Sequence, residues 1–384
     1  MVTGVAGSLG TRVVPLLLAR PDVERVVGID LVPPGAADPR LEVRVMDLAA
    51  RPAPGDPEMV QALRGASSVI HLAWRADDRR GADPAGTAAA NRRALTRVLD
   101  AAEKAGVGSV VHLSSATVYG AWPDNKIPLT EDERIRPNPE FPFAVSKAEA
   151  ERAVAEWADG HPAVPVAVLR PAVTVGPGER PLYQALGITR SPGSGDGGRP
   201  VQYLHVDDLA SAVILAWERR LTGIYNVAPD SGIPEEQARA LAGGVARVTL
   251  PQRLAVTVSS VGWRLWRKGV PVEARAYADH PWVVAPDRLK AAGWVPGHSS
   301  EEALVATDER LHWDDLPPGR RQNYNLIIAL VVLVATGAGA AVGVEALRRR
   351  RRAARAATRP AGPSLRRLAR WPGGPRSVPS GRRR

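Results

Sequence analysis

Residues 3–10 read Thr3-Gly4-Val5-Ala6-Gly7-Ser8-Leu9-Gly10, three glycines in eight residues between a short apolar start and a helical pattern. Glycines at this spacing allow a tight strand-to-helix turn whose backbone can approach a pyrophosphate. The free N–H groups of the helix N-terminus then face negative charge. A second strand pattern, residues 25–30 (RVVGID), ends on Asp30, twenty residues beyond Gly10. A carboxylate there can accept hydrogen bonds from the hydroxyls of an adenosine ribose. It would repel a 2′-phosphate, and the next residue is Leu31 rather than a basic one, so the pattern points to NAD rather than NADP.

Outward from that turn, near-continuous apolar runs alternate with helical stretches. Strands are expected at 25–30, 41–47 (LEVRVMD), 67–72 (SSVIHL), 109–114 (SVVHLS) and 164–170 (VPVAVLR), and helices at 9–20, 84–105 and 143–158. Apolar runs of that kind suit parallel strands buried on both faces. The alternation predicts an α/β fold, a doubly wound parallel Rossmann sheet. Residues 1–170 are expected to form the NAD-binding domain and 171–315 a smaller substrate-binding lobe of the same extended fold, with a Pro/Gly-rich loop at 191–200. Only three residues precede Gly4, whereas a strand usually needs about five. The expectation is a start codon assigned too late and a shortened first strand.

The 384 residues carry a net charge of +11 and no cysteine, which excludes disulfides and thiolate metal sites. Fourteen arginines and no acidic residue lie in 348–384; setting them aside leaves the other 347 residues at −3. The folded part is mildly acidic, which argues against nucleic acid as a partner. Residues 316–325 read as a polar linker. Residues 326–344 (LIIALVVLVATGAGAAVGV) hold no charge, and at about 1.5 Å per residue they approach the thickness of a bilayer core. One C-terminal transmembrane or membrane-associated helix is therefore expected at 326–346, followed by an Arg-rich tail at 347–384. Residues 326–352 would meet membrane lipids, the arginines gripping anionic headgroups. Five arginines follow the helix and two precede it, so the charge bias favours a cytoplasmic tail. Yet the NAD-binding domain lacks a signal peptide and should itself be cytoplasmic, so either the charge rule is overridden or the segment re-enters the membrane or lies along its surface.

Ordered motifs continue along the chain, and together they resemble the extended short-chain dehydrogenases, the NAD-dependent epimerase/dehydratase family. TGVAGSLG looks like that family's glycine turn, and Asp47-Leu48 like its adenine-contacting pair. His71-Leu72-Ala73-Trp74 sits where a cofactor-lining segment is found, and Asn91 matches an asparagine in the helix before the fifth strand. Residues 114–120 (SSATVYG) resemble the serine motif, with Ser115 as the catalytic serine. LRPAVTVGPG (169–178), YLHVDDLA (203–210), GIYNVAP (223–229) and AAGWVP (291–296) resemble later landmarks.

The resemblance implies cofactor contacts from Gly4, Gly7, Ser8, Leu9, Gly10, Asp30, Asp47, Leu48, Leu72, Ala73, Trp74, Asn91, Lys147 and Pro171. It also implies a sugar-like small-molecule substrate and a homodimer through two helices per subunit. Its chemistry is hydride transfer to NAD, with a tyrosine of a YxxxK helix as acid/base, the lysine holding the ribose and lowering the tyrosine pKa, and the serine on the reacting oxygen.

Here the YxxxK segment reads Phe143-Ala144-Val145-Ser146-Lys147. Phenylalanine has no hydroxyl and exchanges no proton. Ser115 and Lys147 remain, and another hydroxyl could stand in, with Tyr119 the nearest tyrosine in sequence. Val173 and Val175 replace an expected asparagine and tyrosine. Arg199 lies six residues before His205 rather than four, with Val201 in the place of a diphosphate-binding arginine. Two readings stay open, an epimerase/dehydratase-like oxidoreductase of unknown substrate and a non-catalytic NAD-binding sensor or scaffold at the membrane. The HVDD run with His205, Asp207 and Asp208 is read as structural, so no metal is expected. Trp263 and Trp266 are expected to pack the aromatic face of a helix onto the substrate lobe.

Overall fold

The computed structural model describes residues 1–35, 38–75, 83–177, 199–241 and 272–306. These belong to one unit spanning Met1–Leu311. Seven strands form its main sheet: β1 (Val2–Thr3), β2 (Val26–Asp30), β3 (Leu41–Val45), β4 (Ser68–His71), β5 (Ser109–Leu113), β6 (Val166–Pro171) and β10 (Gly223–Val227). They lie in the order β10-β6-β5-β4-β1-β2-β3, and every pairing is parallel. The expected strands are all present, within two residues at each end.

Neighbouring residues of these strands point to opposite faces, and both faces are buried. Ile70, Val111 and Leu169 join the apolar cluster beneath α1 (Gly10–Leu18) and α5 (Val206–Glu218). Val69, Val110 and Val168, one residue earlier in each strand, join the cluster beneath α2 (Pro57–Leu63), α3 (Pro84–Ala105) and α4 (Pro142–Gly160). Burial on both sides is what keeps the strand sequences apolar throughout rather than alternating.

Strand β1 is only two residues long, yet it holds the centre. Val2 and Thr3 pair with Gly28 and Ile29 on one side and with Ile70 and His71 on the other. Strand order reverses between β1 and β4, which makes the crevice beyond their C-terminal ends the natural ligand position in such sheets.

Helix α3 keeps the predicted boundaries because its ends are written into the sequence. Asp83 accepts a hydrogen bond from the Ala85 N–H, Pro84 opens the first turn, and Gly106 closes the helix at φ +67°.

The seventh strand, β10, arrives from beyond residue 170, after α5 has packed on the sheet. Residues 206–227 therefore return to the dinucleotide layer, and the 1–170 boundary divides strands that the sheet joins. Smaller two-stranded pairings flank the main sheet: β7 (Val173–Val175) with β9 (Tyr203–His205), and β8 (Pro200–Val201) with β11 (Ile233–Pro234). Helix α6 (Glu235–Leu241) follows β11, and the short helices α7 (Arg275–Asp279), α8 (Asp287–Ala291) and α9 (Ser300–Val305) complete the described lobe.

Among the described residues no helix is long and apolar enough to cross a membrane. The apolar run at 326–344, the arginine tail, most of the 191–200 loop and the Trp263/Trp266 segment lie outside the described residues.

Candidate active site

The glycine turn sits at the crevice between β1 and β4. Gly4 has φ +78°, and a Cβ there would lie 2.9 Å from the Ala73 amide nitrogen. A Cβ on Gly10 would come within 2.1 Å of the Gly4 carbonyl oxygen. Both positions demand glycine, the first for its dihedral and the second for the closeness of helix to turn. Gly7 donates to the Gly4 carbonyl at 3.2 Å and accepts from the Thr11 N–H. Helix α1 then begins on Leu9 with no side-chain cap and no acidic residue in its first turn. Thr11 and Arg12 donate to the Gly7 and Leu9 carbonyls, so the Leu9 and Gly10 amides are the ones that can face a negative group supplied from outside.

Asp30, at the end of β2, accepts from the Ala6 N–H at 2.8 Å and from its own Leu31 N–H at 2.6 Å. These bonds fix the carboxylate at the mouth of the turn and leave each oxygen a further lone pair for a ribose hydroxyl. Asp47, exposed at the end of the next strand, accepts from Ala49 at 2.8 Å and from Arg75 at 2.6 Å, while Leu48 beside it is buried. Asn91 grips the backbone of Arg75 from both sides, accepting its N–H at 2.8 Å and donating to its carbonyl at 3.0 Å. So Asn91 positions the segment Leu72-Ala73-Trp74 that follows β4, and it does so through the backbone. This cradle, with its uncapped helix and fixed carboxylate, fits a dinucleotide.

Phe143 and Lys147 lie one turn apart on α4. Lys147 is buried and donates to the Leu113 carbonyl at the end of β5, at 2.8 Å. Its ammonium sits 3.6 Å from the centroid of the Trp74 ring and 6.0 Å from that of Phe143. Burial, partly opposed by Glu151, pushes its pKa down to about 7. Trp74 and Phe143 meet edge to face at 6.4 Å, and Phe143 continues onto Phe141 at 5.7 Å. Phe143 is thus part of an aromatic cluster with Trp74 and Phe141.

Ser115 is buried just past β5. Its hydroxyl oxygen accepts from the Thr117 N–H at 3.2 Å and from the Thr117 hydroxyl at 2.9 Å, capping the 3-10 turn Ala116–Tyr119 and leaving its own hydrogen to donate. Pro171 ends β6.

The Tyr119 expectation needs correcting. Its ring is buried, its hydroxyl donates to Asn226 at 2.8 Å and accepts from Arg170 at 2.8 Å, and burial pushes its pKa up to about 12. Arg170 in turn forms a two-pronged pair with Glu151, which also takes the hydroxyl of Ser114. Tyr119 belongs to this buried network and is not a substitute for the hydroxyl absent at Phe143. Sequence reading missed the network, although Glu151 lies at i+8 from Phe143 and i+4 from Lys147, on the same face of α4.

Other expectations resolve as packing. Arg199 donates to the carbonyls of Tyr277 and His280 and pairs with Glu235 at 3.2 Å, tying the second lobe together. Val173, Val175 and Val201 are core residues. Asp208 bolts the chain after α8 by accepting from the Gly297 and His298 N–H groups. His205 caps α5 through the Asp207 N–H. Among the described residues no cluster of His, Asp and Glu could hold a metal.

Arg12, unsuspected from sequence, links Asp207 at 2.6 Å, the Ser8 carbonyl at 2.8 Å and the Pro177 carbonyl at 3.0 Å. It thereby ties the glycine turn to the chain after β7 and to the first turn of α5.

Comparison with known proteins agrees with this geometry. Residues 1–228 match the family model described as NAD dependent epimerase/dehydratase. A dTDP-glucose 4,6-dehydratase of Streptomyces griseus is 28% identical over 345 residues, covering 83% of this chain and 97% of that protein. A UDP-glucose 4-epimerase of Mycolicibacterium smegmatis is 29% identical over 241 residues, covering 56% and 72%. Among solved structures, the Thermus thermophilus UDP-glucose 4-epimerase in complex with NAD superposes with a TM-score of 0.59 at 25% identity, covering 80% of this chain and 97% of that one.

Proposed function

The chain belongs to the NAD-dependent epimerase/dehydratase family, and from that premise we propose that it binds a sugar nucleotide or a related hydroxyl-bearing substrate at a site whose usual acid/base is absent. The cofactor, NAD, would rest its pyrophosphate on the glycine turn and the N-terminus of α1, with Asp30 on the adenosine ribose and Asp47-Leu48 at the adenine. Lys147 would hold the second ribose, and Ser115 would donate its free hydrogen to the reacting oxygen. The cofactor accepts or returns hydride; the protein orients the substrate and keeps water out with Trp74 and Phe143. The observation that carries this reading is Lys147, buried against the Leu113 carbonyl one helical turn from Phe143 and stacked on Trp74, whose neighbour Ala73 abuts Gly4 of the glycine turn.

Phe143, together with the engagement of Tyr119 in the core, favours a second reading: a non-catalytic NAD-binding protein. We also propose that residues 326–352 attach the protein to a membrane with its dinucleotide domain on the cytoplasmic side.

Fluorescence titration with NADH, followed by single-turnover absorbance at 340 nm with NAD and dTDP-glucose or UDP-glucose, which catches the reduced cofactor before hydride is returned, and by analysis of the sugar product, tests the enzyme reading. Expected is binding by both the parent and Phe143→Tyr, with hydride transfer on the order of 10²–10⁴ faster in the variant. No dinucleotide binding defeats the proposal. Binding with no transfer by either protein favours the non-catalytic reading.

A further inference from the structure

A concave pocket of about 430 Å³ opens between the loop at 50–56 and helix α3, whose Arg93 and Arg97 reach the Ala49 and Asp47 carbonyls. Its size falls within the usual range for small-molecule sites. Arg51, Arg92, Arg93 and Lys104 line it, with Arg97 and Asp56 at its floor.

The charges do not cancel. Arg97 and Asp56 consume each other in a buried two-pronged pair, at 2.5 and 2.9 Å. Arg93 spends its Nε on the Ala49 carbonyl at 3.1 Å, and its two terminal nitrogens have no partner among the described residues. Arg51 has none there either, and Lys104 has only the Gly55 carbonyl at 3.4 Å. Arg92 reaches Glu149 at 3.4 Å with both side chains largely in solvent. Asp100 is the one acidic side chain of the lining left to oppose these four cations.

A guanidinium fork fixed at its Nε and facing a concavity lined by further cations is an arrangement that takes phosphate oxygens two at a time. We infer that this pocket is a second anion site, which takes the phosphate groups of a small phosphorylated molecule and is separate from the cofactor crevice. The alkyl parts of Pro52, Ala53 and Ala101 offer the organic portion an apolar wall. The site does not depend on the cofactor reading, because no residue of the glycine turn contributes to it.

Calorimetric titration of the full chain with sodium pyrophosphate, in phosphate-free buffer of low ionic strength, tests the inference. The parent should bind, and affinity should fall as salt is raised. Arg93→Gln combined with Lys104→Gln should weaken binding by at least about tenfold, the effect of losing charge-assisted contacts. Asp100→Asn, which removes the opposing carboxylate, should tighten it; this second variant keeps the test decisive if the first misfolds. Saturating NADH, which would fill the glycine turn, should leave it unchanged. The inference is overturned if no protein binds pyrophosphate, or if NADH displaces pyrophosphate that the double variant still binds, since the anion then sits at the glycine turn. Binding of duplex DNA without pyrophosphate binding also overturns it, assigning the charge to an extended polyanion surface.

Discussion

The ammonium of Lys147 is stacked on the indole of Trp74, 3.6 Å from the ring centroid, while it donates to the Leu113 carbonyl. A cation held this way keeps one carbonyl and one aromatic face as partners and retains further N–H donors, which the proposed function would direct to a ribose diol.

Replacing Lys147 by methionine should therefore separate binding from folding. A lost charge-assisted hydrogen bond is worth about 1.5–3 kcal/mol, so NADH affinity should drop by roughly 10- to 150-fold. The variant should also lose a pH effect. The folded lysine titrates near 7 against 10.5 when free, so the unfolded chain holds the extra proton between those values. Stability of the cofactor-free parent should rise with pH across that window, and the methionine variant should lack the rise. Thermal melts of both proteins at pH 7 and pH 9.5 check it.

The imidazoles of His71 and His112 stack at 5.6 Å in the sheet beneath α4, and His112 has a partner on neither ring nitrogen. Burial, and after it the charge of Lys147, depresses His71 to about 3; burial, His71 and Lys147 depress His112 well below 6.5. Both are neutral in the folded protein, whereas the unfolded chain takes up protons below about 6.5. The stability is fully present above that value and is lost as pH falls toward the folded values. His112→Phe should flatten the decline in melting temperature between pH 6.5 and 5, where carboxylates contribute little. An unchanged slope would count against this account.

Removing one partner of the buried Arg170–Glu151 pair leaves an uncompensated charge. Glu151→Ala should destabilise the fold by about 3–5 kcal/mol. Tyr119→Phe should cost about 1–3 kcal/mol by leaving Asn226 and Arg170 short of a partner. It should leave NADH affinity unchanged, because its hydroxyl faces the network and not the crevice. Denaturant melts beside NADH titrations distinguish the two effects.

For the C-terminal segment, the full chain should float with vesicles containing anionic phospholipid, and a chain ending at residue 325 should remain in the soluble fraction. Flotation of both proteins would move the attachment into the folded unit.

Much of the fold was legible because the signals are local. The glycine turn, the apolar runs and the caps of α3 each act within a few residues, through dihedral freedom, burial on two faces, and hydrogen bonds to helix ends. The same locality made Phe143 and Lys147 readable as neighbours on one helix. The return of β10 to the sheet escaped this reading, because strand pairing links residues 166–171 to 223–227 across more than fifty intervening positions.

The sequence by itself determined that a Rossmann turn with an acid at Asp30 is present and that the residue at 143 cannot exchange a proton. Only the tertiary structure decided what the remaining polar groups do. Tyr119 and Arg170 were drawn into a buried network, Arg199 into the frame of the second lobe, and Lys147 against Trp74. A side chain's availability depends on who surrounds it in space, since a buried donor or acceptor must find a partner wherever the fold supplies one. That partner is often more than a hundred residues away, as Asn226 is for Tyr119.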